Sequence, residues 1–284
     1  MKQTEQEILD VSLQKRLKGV NGPFTLSARM EVPIGQSVGI MGPSGSGKSS
    51  ILRMLAGLMM PDQGWIRIGK NTWFDQSARI NLKPQIRRPA YVMQEYGLFP
   101  NMSVRDNLTF AIGKKKNGTE IDHWLEKAGL QGLSDEKPLR LSGGQKQRLA
   151  LVRALIVKPN LLLLDEPLAA QDQQTRLQWQ QDLKSWTSSE SQLTTVLVSH
   201  DPEELLRLTD MVFEIRNGQA MTLGHPSNLF PQSDGQLQAE LIAIDTQKEE
   251  AEVLMGRQRL KLRLNHEWKT GQMVRFSPEE ILKP

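Results

Sequence analysis

Four short apolar runs bounded by polar or turn residues frame the chain: Ser37 to Met41, Ala90 to Met93, Leu161 to Leu164 and Thr194 to Val198. Runs this short, apolar without alternation, read as strands buried on both faces, the habit of a mostly parallel sheet. Each is followed by polar chemistry: a glycine-rich loop, Gln94, the Asp165-Glu166 pair and His200 respectively. Ligands of an open parallel sheet sit beyond the carboxyl ends of its strands, so the four endings predict one shared site. The fold class predicted is α/β.

From Glu95 to Lys158 the apolar positions fall into helical periods separated by polar loops, which predicts a helical insertion over about residues 95–158. Beyond His225-Pro226 short alternating stretches return, such as Arg259 to Leu264 and Met273 to Phe276. The expected organisation is a main domain over residues 1–230 and a small β-rich appendage over 231–284. The basic stretch Lys114-Lys115-Lys116-Asn117-Gly118 reads as a solvated loop.

Composition narrows the classes. At 284 residues the chain can bury a substantial core. Lys plus Arg number 36 against 32 Asp plus Glu, a formal charge of +4, too mild a bias to indicate nucleic acid. Without cysteine there is neither a disulfide framework nor a thiolate metal site. Met1 to Asp10 is polar and acidic, unlike a secretory signal, and no run nears the roughly 20 apolar residues that span a bilayer. The expectation is a cytoplasmic protein whose membrane role comes through partners.

Gly42-Pro43-Ser44-Gly45-Ser46-Gly47-Lys48-Ser49 fits the phosphate-binding pattern G-x-x-x-x-G-K-[ST], follows the first buried run and opens an apolar helix from Ser50 to Leu58. Its glycines let backbone N–H groups turn inward around phosphate oxygens, and the helix N-terminus adds its positive end. Residues 42–50, Ser50 included, are therefore the candidate phosphate cradle, with Lys48 reaching the β- and γ-phosphates and Ser49 giving a hydroxyl to Mg²⁺. The loop alone does not separate kinases, GTPases, helicases and transporters. Leu141-Ser142-Gly143-Gly144-Gln145 precedes a helix from Lys146 to Ile156 and makes a second phosphate cradle. One P-loop already holds one nucleotide, so the second cradle points to a nucleotide bound by another copy. A Ser-capped helix start explains Ser142 but not the paired glycines.

Gly42 to Ser49, Gln94, Leu141 to Gln145, Leu161 to Pro167 and His200 occur in the order and approximate spacing of an ABC ATPase, and the chain resembles that family from about residue 8 to 225. The resemblance implies a P-loop NTPase of ABC type, ATP as nucleotide, and a head-to-tail homodimer. In it Ser142, Gly143, Gly144 and Gln145 cap ATP held by the second copy. Leu161 to Pro167 resembles a Walker B segment, which implies that Asp165 holds Mg²⁺ through water and that Glu166 is the general base or water-orienting group. Gln94 resembles the Q-loop residue, which contacts Mg²⁺ or the attacking water. His200 resembles the switch histidine, which contacts the γ-phosphate and helps orient Glu166. Asp172 resembles the aspartate of the loop between subunits, with Gln171 where the family commonly has Leu. His123, His225 and His266 have no metal-ligand setting.

Leu13 to Val20 holds no aromatic where the family stacks adenine; Phe24 reads as core, and Leu13 or Leu17 as an apolar substitute. Trp73 to Asp75 and Arg87 to Pro100 resemble importers, those for molybdate above all. That implies integral membrane permease subunits, an extracytoplasmic substrate-binding protein, and a place at the inner face of the cell membrane. It also implies molybdate or a related oxyanion as cargo, with sulfate, phosphate, polyamine and sugar behind it. Leu98, Phe99 and Pro100 read either as a permease groove or as helical-domain core. A soluble ABC ATPase acting on a macromolecular complex would need a coiled-coil insertion, a second ATPase half or a basic linker, none of which the sequence has. A P-loop kinase would leave residues 141–145 and His200 unexplained.

Overall fold

The computed structural model describes residues 7–19, 22–113, 118–168, 173–188, 192–229, 237–246, 248–255, 258–265, 268–276 and 280–282. The chain opens with a long hairpin, β1 (Ile8–Gly19) and β2 (Gly22–Pro33), paired antiparallel along its whole length. β3 (Ser37–Met41) passes through the 42–47 loop into α1 (Lys48–Leu55). β4 (Gln63–Ile68), β5 (Asn71–Asp75) and β6 (Ile80–Asn81) follow, and α2 (Pro84–Arg87) leads to β7 (Ala90–Val92). Among the described residues the α-helices α3 (Val104–Ile112), α4 (Gly118–Lys127) and α5 (Gly143–Leu155), with two short 3-10 turns between α4 and α5, separate β7 from β8 (Leu161–Asp165). Then come α6 (Gln173–Ser188), β9 (Thr194–Val198), α7 (Pro202–Leu208), β10 (Met211–Arg216) and β11 (Gln219–Gly224).

Among the described residues these strands form one 11-stranded sheet in the order β6-β5-β4-β1-β2-β11-β10-β3-β9-β8-β7. The four apolar runs become the adjacent strands β3, β9, β8 and β7, all parallel, with β10 parallel on the other side of β3. The remaining half is an antiparallel arm from β6 to β2 that continuous apolar runs could not reveal. Its strands bury one face and therefore alternate: Leu9, Val11 and Leu13 are buried between half-buried or exposed neighbours.

Burial on both faces is plain in β8. Leu161 and Leu163 join a cluster with Ile51, Leu52, Met54 and Leu55 of α1 and with Leu9 and Val11 of the arm. Leu162 and Leu164 face a second cluster with Leu149 and Val152 of α5, Trp179 of α6 and Leu205 of α7. Helix α1 is thus wedged between the parallel block and the arm, while α3 to α7 cover the opposite face. Each of the four buried α1 side chains contributes roughly 1.5–3 kcal/mol, so the start of α1 is held firmly at the sheet edge.

A second, four-stranded sheet is built from β12 (Leu237–Asp245), β13 (Glu250–Met255), β14 (Gln258–Arg263) and β15 (Met273–Phe276) in the order β14-β13-β12-β15. It has its own small core, including Leu241, Val253, Leu262 and Phe276. Arg207 of α7 ties it to the large sheet, with Nη1 3.1 Å from Glu240 Oε1 and donating to Gly271 O at 3.3 Å. Among the described residues no helix is long and apolar enough to cross a membrane.

Candidate functional site

Strand register gathers the polar endings. Ile40 pairs with Val198, Val198 with Asp165, and Val92 with Leu164, so one line crosses β3, β9 and β8 at Ile40, Val198 and Asp165. Gly42, His200, Glu166 and Gln94 each lie one or two residues beyond that line, at the carboxyl edge of the block.

The loop after β3 is shaped by glycine. Gly42, Gly45 and Gly47 have φ of 148, 76 and 103°. A Cβ at Gly42 would stand 2.6 Å from the Ile215 carbonyl oxygen and one at Gly47 2.9 Å from Leu26, so conformation and space both demand glycine there. Helix α1 begins at Lys48, two residues earlier than the sequence suggested, and its N-cap, Gly47, supplies no side-chain cap. The first-turn N–H groups are therefore left for a ligand. Ser46 Oγ is buried with no hydrogen-bond partner among the described residues.

Lys48 is 7% exposed and folds back over the loop, its Nζ donating to Gly42 O at 2.8 Å and Pro43 O at 2.9 Å. Burial pushes its ammonium below the ordinary lysine value, and the carboxylates of Glu166 and Asp165 push it back up. Asp165 accepts from the Ser49 hydroxyl at 2.9 Å on Oδ1 and from the Tyr91 hydroxyl at 3.1 Å on Oδ2. Burial, then the Asp165 charge, raises the Tyr91 phenol and keeps it a donor. Tyr91 was not singled out from the sequence, although a Tyr inside an apolar strand signals a hydroxyl that needs a partner.

Next along the edge, Glu166 turns out of β8 with φ of 49° while its N–H donates to Val198 O at 3.0 Å. Its Oε2 lies 3.6 Å from Nδ1 of His200, whose side chain is 63% exposed. Behind His200, Ser199 Oγ donates to Glu204 Oε2 at 2.6 Å, and Asp201 caps α7 by accepting from Glu203 N at 2.9 Å. Arg176 of α6 holds the same Asp201 at 2.9 Å. Burial raises the Glu204 carboxyl to about 7, a feature the sequence did not disclose. Gln94 is exposed in the turn after β7.

The second glycine segment stands apart. Ser142 Oγ accepts from Gln145 N at 3.3 Å and Gln145 Oε1 accepts from Ser142 N at 2.9 Å, a reciprocal cap that starts α5 at Gly143, three residues earlier than expected. A Cβ at Gly143 would meet nothing within 4 Å. Among the described residues no hydrogen bond joins residues 142–145 to the 42–49 loop. Asp172, Gln171, His266 and the Lys114–Asn117 stretch lie outside the described residues.

Three apolar expectations divide. Leu98 packs against the helical core, whereas Phe99 is 36% exposed and meets the ring of exposed Phe110 at 4.7 Å. Leu13, at 1% exposure, is sealed in the core, and Leu17 backs Gly47. Phe24, expected in the core, packs against the core cluster of α1 and the arm from a half-buried position and also lines a cleft of about 420 Å³ with Pro43 to Ser46.

Comparison with known proteins adds the following. The ABC transporter family model matches residues 26–169, just over half of the chain. The sulfate/thiosulfate import ATP-binding protein CysA of Synechococcus elongatus is 39% identical over 209 residues, 71% of this chain and 58% of that protein. The molybdenum import ATP-binding protein ModC of Mannheimia succiniciproducens is 38% identical over 224 residues, 78% and 62% respectively. The spermidine/putrescine import ATP-binding protein PotA of Methylococcus capsulatus is 39% identical over 206 residues, 71% and 52%. The chain thus spans little more than half the length of these curated relatives. Among solved structures, a dimeric ATP-binding cassette in a post-hydrolysis state with ADP and phosphate superposes with a TM-score of 0.62 at 28% identity, covering 75% of this chain and 96% of its own.

Proposed function

The chain belongs to the ABC transporter family, and from that premise we propose that it is the ATP-binding and ATP-hydrolysing subunit of an import system. The observation that carries the reading is the single sheet edge shared by Lys48, the Ser49–Asp165 pair and the Glu166–His200 pair. The uncapped start of α1 and the partnerless Ser46 hydroxyl suit a triphosphate whose oxygens take both.

In this reading residues 42–50 cradle the phosphates, and Lys48 leaves the Gly42 and Pro43 carbonyls to meet the β- and γ-phosphates. The oxygens of Ser49, Asp165 and Gln94 would hold Mg²⁺, which when bound neutralises charge on the phosphate chain. Glu166 orients the attacking water and takes its proton as the new P–O bond forms. The bond from the γ-phosphorus to the bridging oxygen breaks, and ADP leaves with the electron pair. His200 steadies the Glu166 carboxylate and contacts the γ-phosphate.

Ser142, Gly143, Gly144 and Gln145 would cap ATP held by a second copy, with Asp172 in the loop between subunits. Support comes from Gly143, where a Cβ would meet nothing within 4 Å among the described residues. The division at residue 230, the place at the inner face of the cell membrane, and the permease and substrate-binding protein partners belong to the same proposal. Relatives named for sulfate, molybdenum and polyamines are about equally similar. Residues 73–100 favour molybdate or a related oxyanion as cargo.

Glu166→Gln tests the chemistry: ATP should still bind while hydrolysis falls about 100-fold, and wild-type turnover would remove the assigned base. Stimulation of hydrolysis by a copurifying permease tests the transport role, and stoichiometric phosphorylation of a small molecule would replace it with a kinase. Uptake of labelled molybdate against sulfate by cells with and without the chain tests the cargo.

A further inference from the structure

Asp165 closes β8 with its two carboxylate oxygens claimed by different elements. Oδ1 accepts from the Ser49 hydroxyl at the start of α1, at 2.9 Å, and Oδ2 from the Tyr91 hydroxyl of β7, at 3.1 Å. Strand register explains how a phenol reaches this point. Tyr91 pairs with Leu163, which lies two residues before Asp165 and so on the same face of β8. Leu163 belongs to the core cluster beneath α1 and the half-buried Tyr91 packs against that cluster. The ring therefore runs beside β8, and its hydroxyl meets the carboxylate two residues further on.

The hold on Asp165 matters because a carboxylate turns easily about its last side-chain bond, a broad and two-fold torsion. One donor on each oxygen removes that freedom. A competing pull comes from Lys48, whose ammonium feels the Asp165 charge. Lys48 nevertheless donates to the carbonyls of Gly42 and Pro43, and among the described residues it makes no hydrogen bond to Asp165. A lysine–aspartate pair would cancel the two charges that a phosphate chain and a divalent cation each need. Hydroxyl donors hold the carboxylate and leave its charge in place. Ser49 can go on donating its proton to Oδ1 while its oxygen faces a cation, provided that the carboxylate stays turned towards it. Fixing that orientation is the task left to the phenol.

We propose that Tyr91 is a positioning residue for the divalent cation, its phenol holding the Asp165 carboxylate towards Ser49 and away from Lys48. The inference rests on the nucleotide reading above and adds to it a residue that sets, through Asp165, how tightly the metal is held.

Tyr91→Phe in the full chain keeps the ring and removes only the hydroxyl, so the melting temperature should stay within a few degrees of wild type. Mn²⁺ is the probe, its binding followed by electron paramagnetic resonance in the presence of a non-hydrolysable ATP analogue. Mn²⁺ affinity should fall about tenfold, whereas the analogue in excess chelator should bind as it does to wild type. Hydrolysis should show the same split: the half-saturating Mg²⁺ concentration rises about tenfold, and turnover at saturating Mg²⁺ stays within about twofold. In an Asp165→Asn chain the same Tyr91→Phe change should cost nothing further, because the phenol acts through that carboxylate. Unchanged Mn²⁺ affinity in Tyr91→Phe would overturn the proposal. So would an equal loss of metal-free analogue binding, which would make Tyr91 a mere prop of the sheet edge, or a tenfold loss that persists beside Asp165→Asn. A wild-type chain that binds neither the analogue nor Mn²⁺ would overturn the nucleotide reading, and this inference with it.

Discussion

At the start of α5, Ser142 and Gln145 satisfy each other's backbone groups, whereas at the start of α1 the cap is a left-handed glycine that satisfies nothing. Both helices open with a glycine-rich segment, yet only α5 is complete without a ligand. The start of α1 is held from outside, by four buried side chains and by Leu26 and Leu17 against Gly47. Stability at α1 therefore comes from the core beneath it, and the N–H groups of its first turn have no side-chain cap. At α5 stability is local, from the reciprocal Ser142–Gln145 cap. Under the proposed function the first end holds phosphate and the second is brought to a nucleotide on another copy.

Substitutions at these helix starts can break or sharpen the contrast. The largest effect should come from Lys48→Ala, which removes the charge at the open start of α1. ATP hydrolysis should fall roughly 100- to 1,000-fold while the melting temperature stays within a few degrees, as checked by phosphate release and calorimetry. A smaller effect is expected at a third helix start, where Glu204 sits in the first turn of α7 with its carboxyl raised to about 7 by burial. In the unfolded chain that carboxyl titrates near about 4.3. Between these values the folded state holds more protons, so the Glu204 contribution favours folding at low pH. It is lost as pH rises towards 7. Glu204→Gln should therefore leave stability unchanged near pH 4 and raise it by about 1–3 kcal/mol at pH 8, read from denaturant melts at both.

Gly143→Ala should lower ATP hydrolysis about tenfold without lowering the melting temperature, because a Cβ there meets none of the described residues. Unchanged turnover would dissolve the contrast, making Gly143 an ordinary helix residue. Ser142→Ala should be mildest, at about 1 kcal/mol of stability from the broken reciprocal cap.

Legibility in the sequence follows the same division. The parallel block was readable because strands buried on both faces are written as unbroken apolar runs, and Thr194 to Val198 matches its strand residue for residue. The antiparallel arm was not, since β1 alternates and its Lys15, Arg16 and Lys18 resemble surface loop. Within the candidate site, Lys48, Ser49, Asp165, Glu166 and His200 were found through motif spacing, and strand register explains why they meet. Tyr91, Glu204 and Phe24 carry no local motif; their surroundings come from strands and helices distant in sequence. Phe24, read as core, packs against the core cluster from a half-buried position near the open end of β2, where Gly19 and Gly218 flank its ring.

The left-handed backbone at Glu166 has a consequence for how this chain could change. A residue with a Cβ at φ of 49° is less comfortable than glycine by roughly 1 kcal/mol. A library sorted only for heat resistance should thus accumulate the substitution Glu166→Gly, and one sorted for turnover should return to the carboxylate. The frequency of glycine at this single codon would then report which pressure the population had faced.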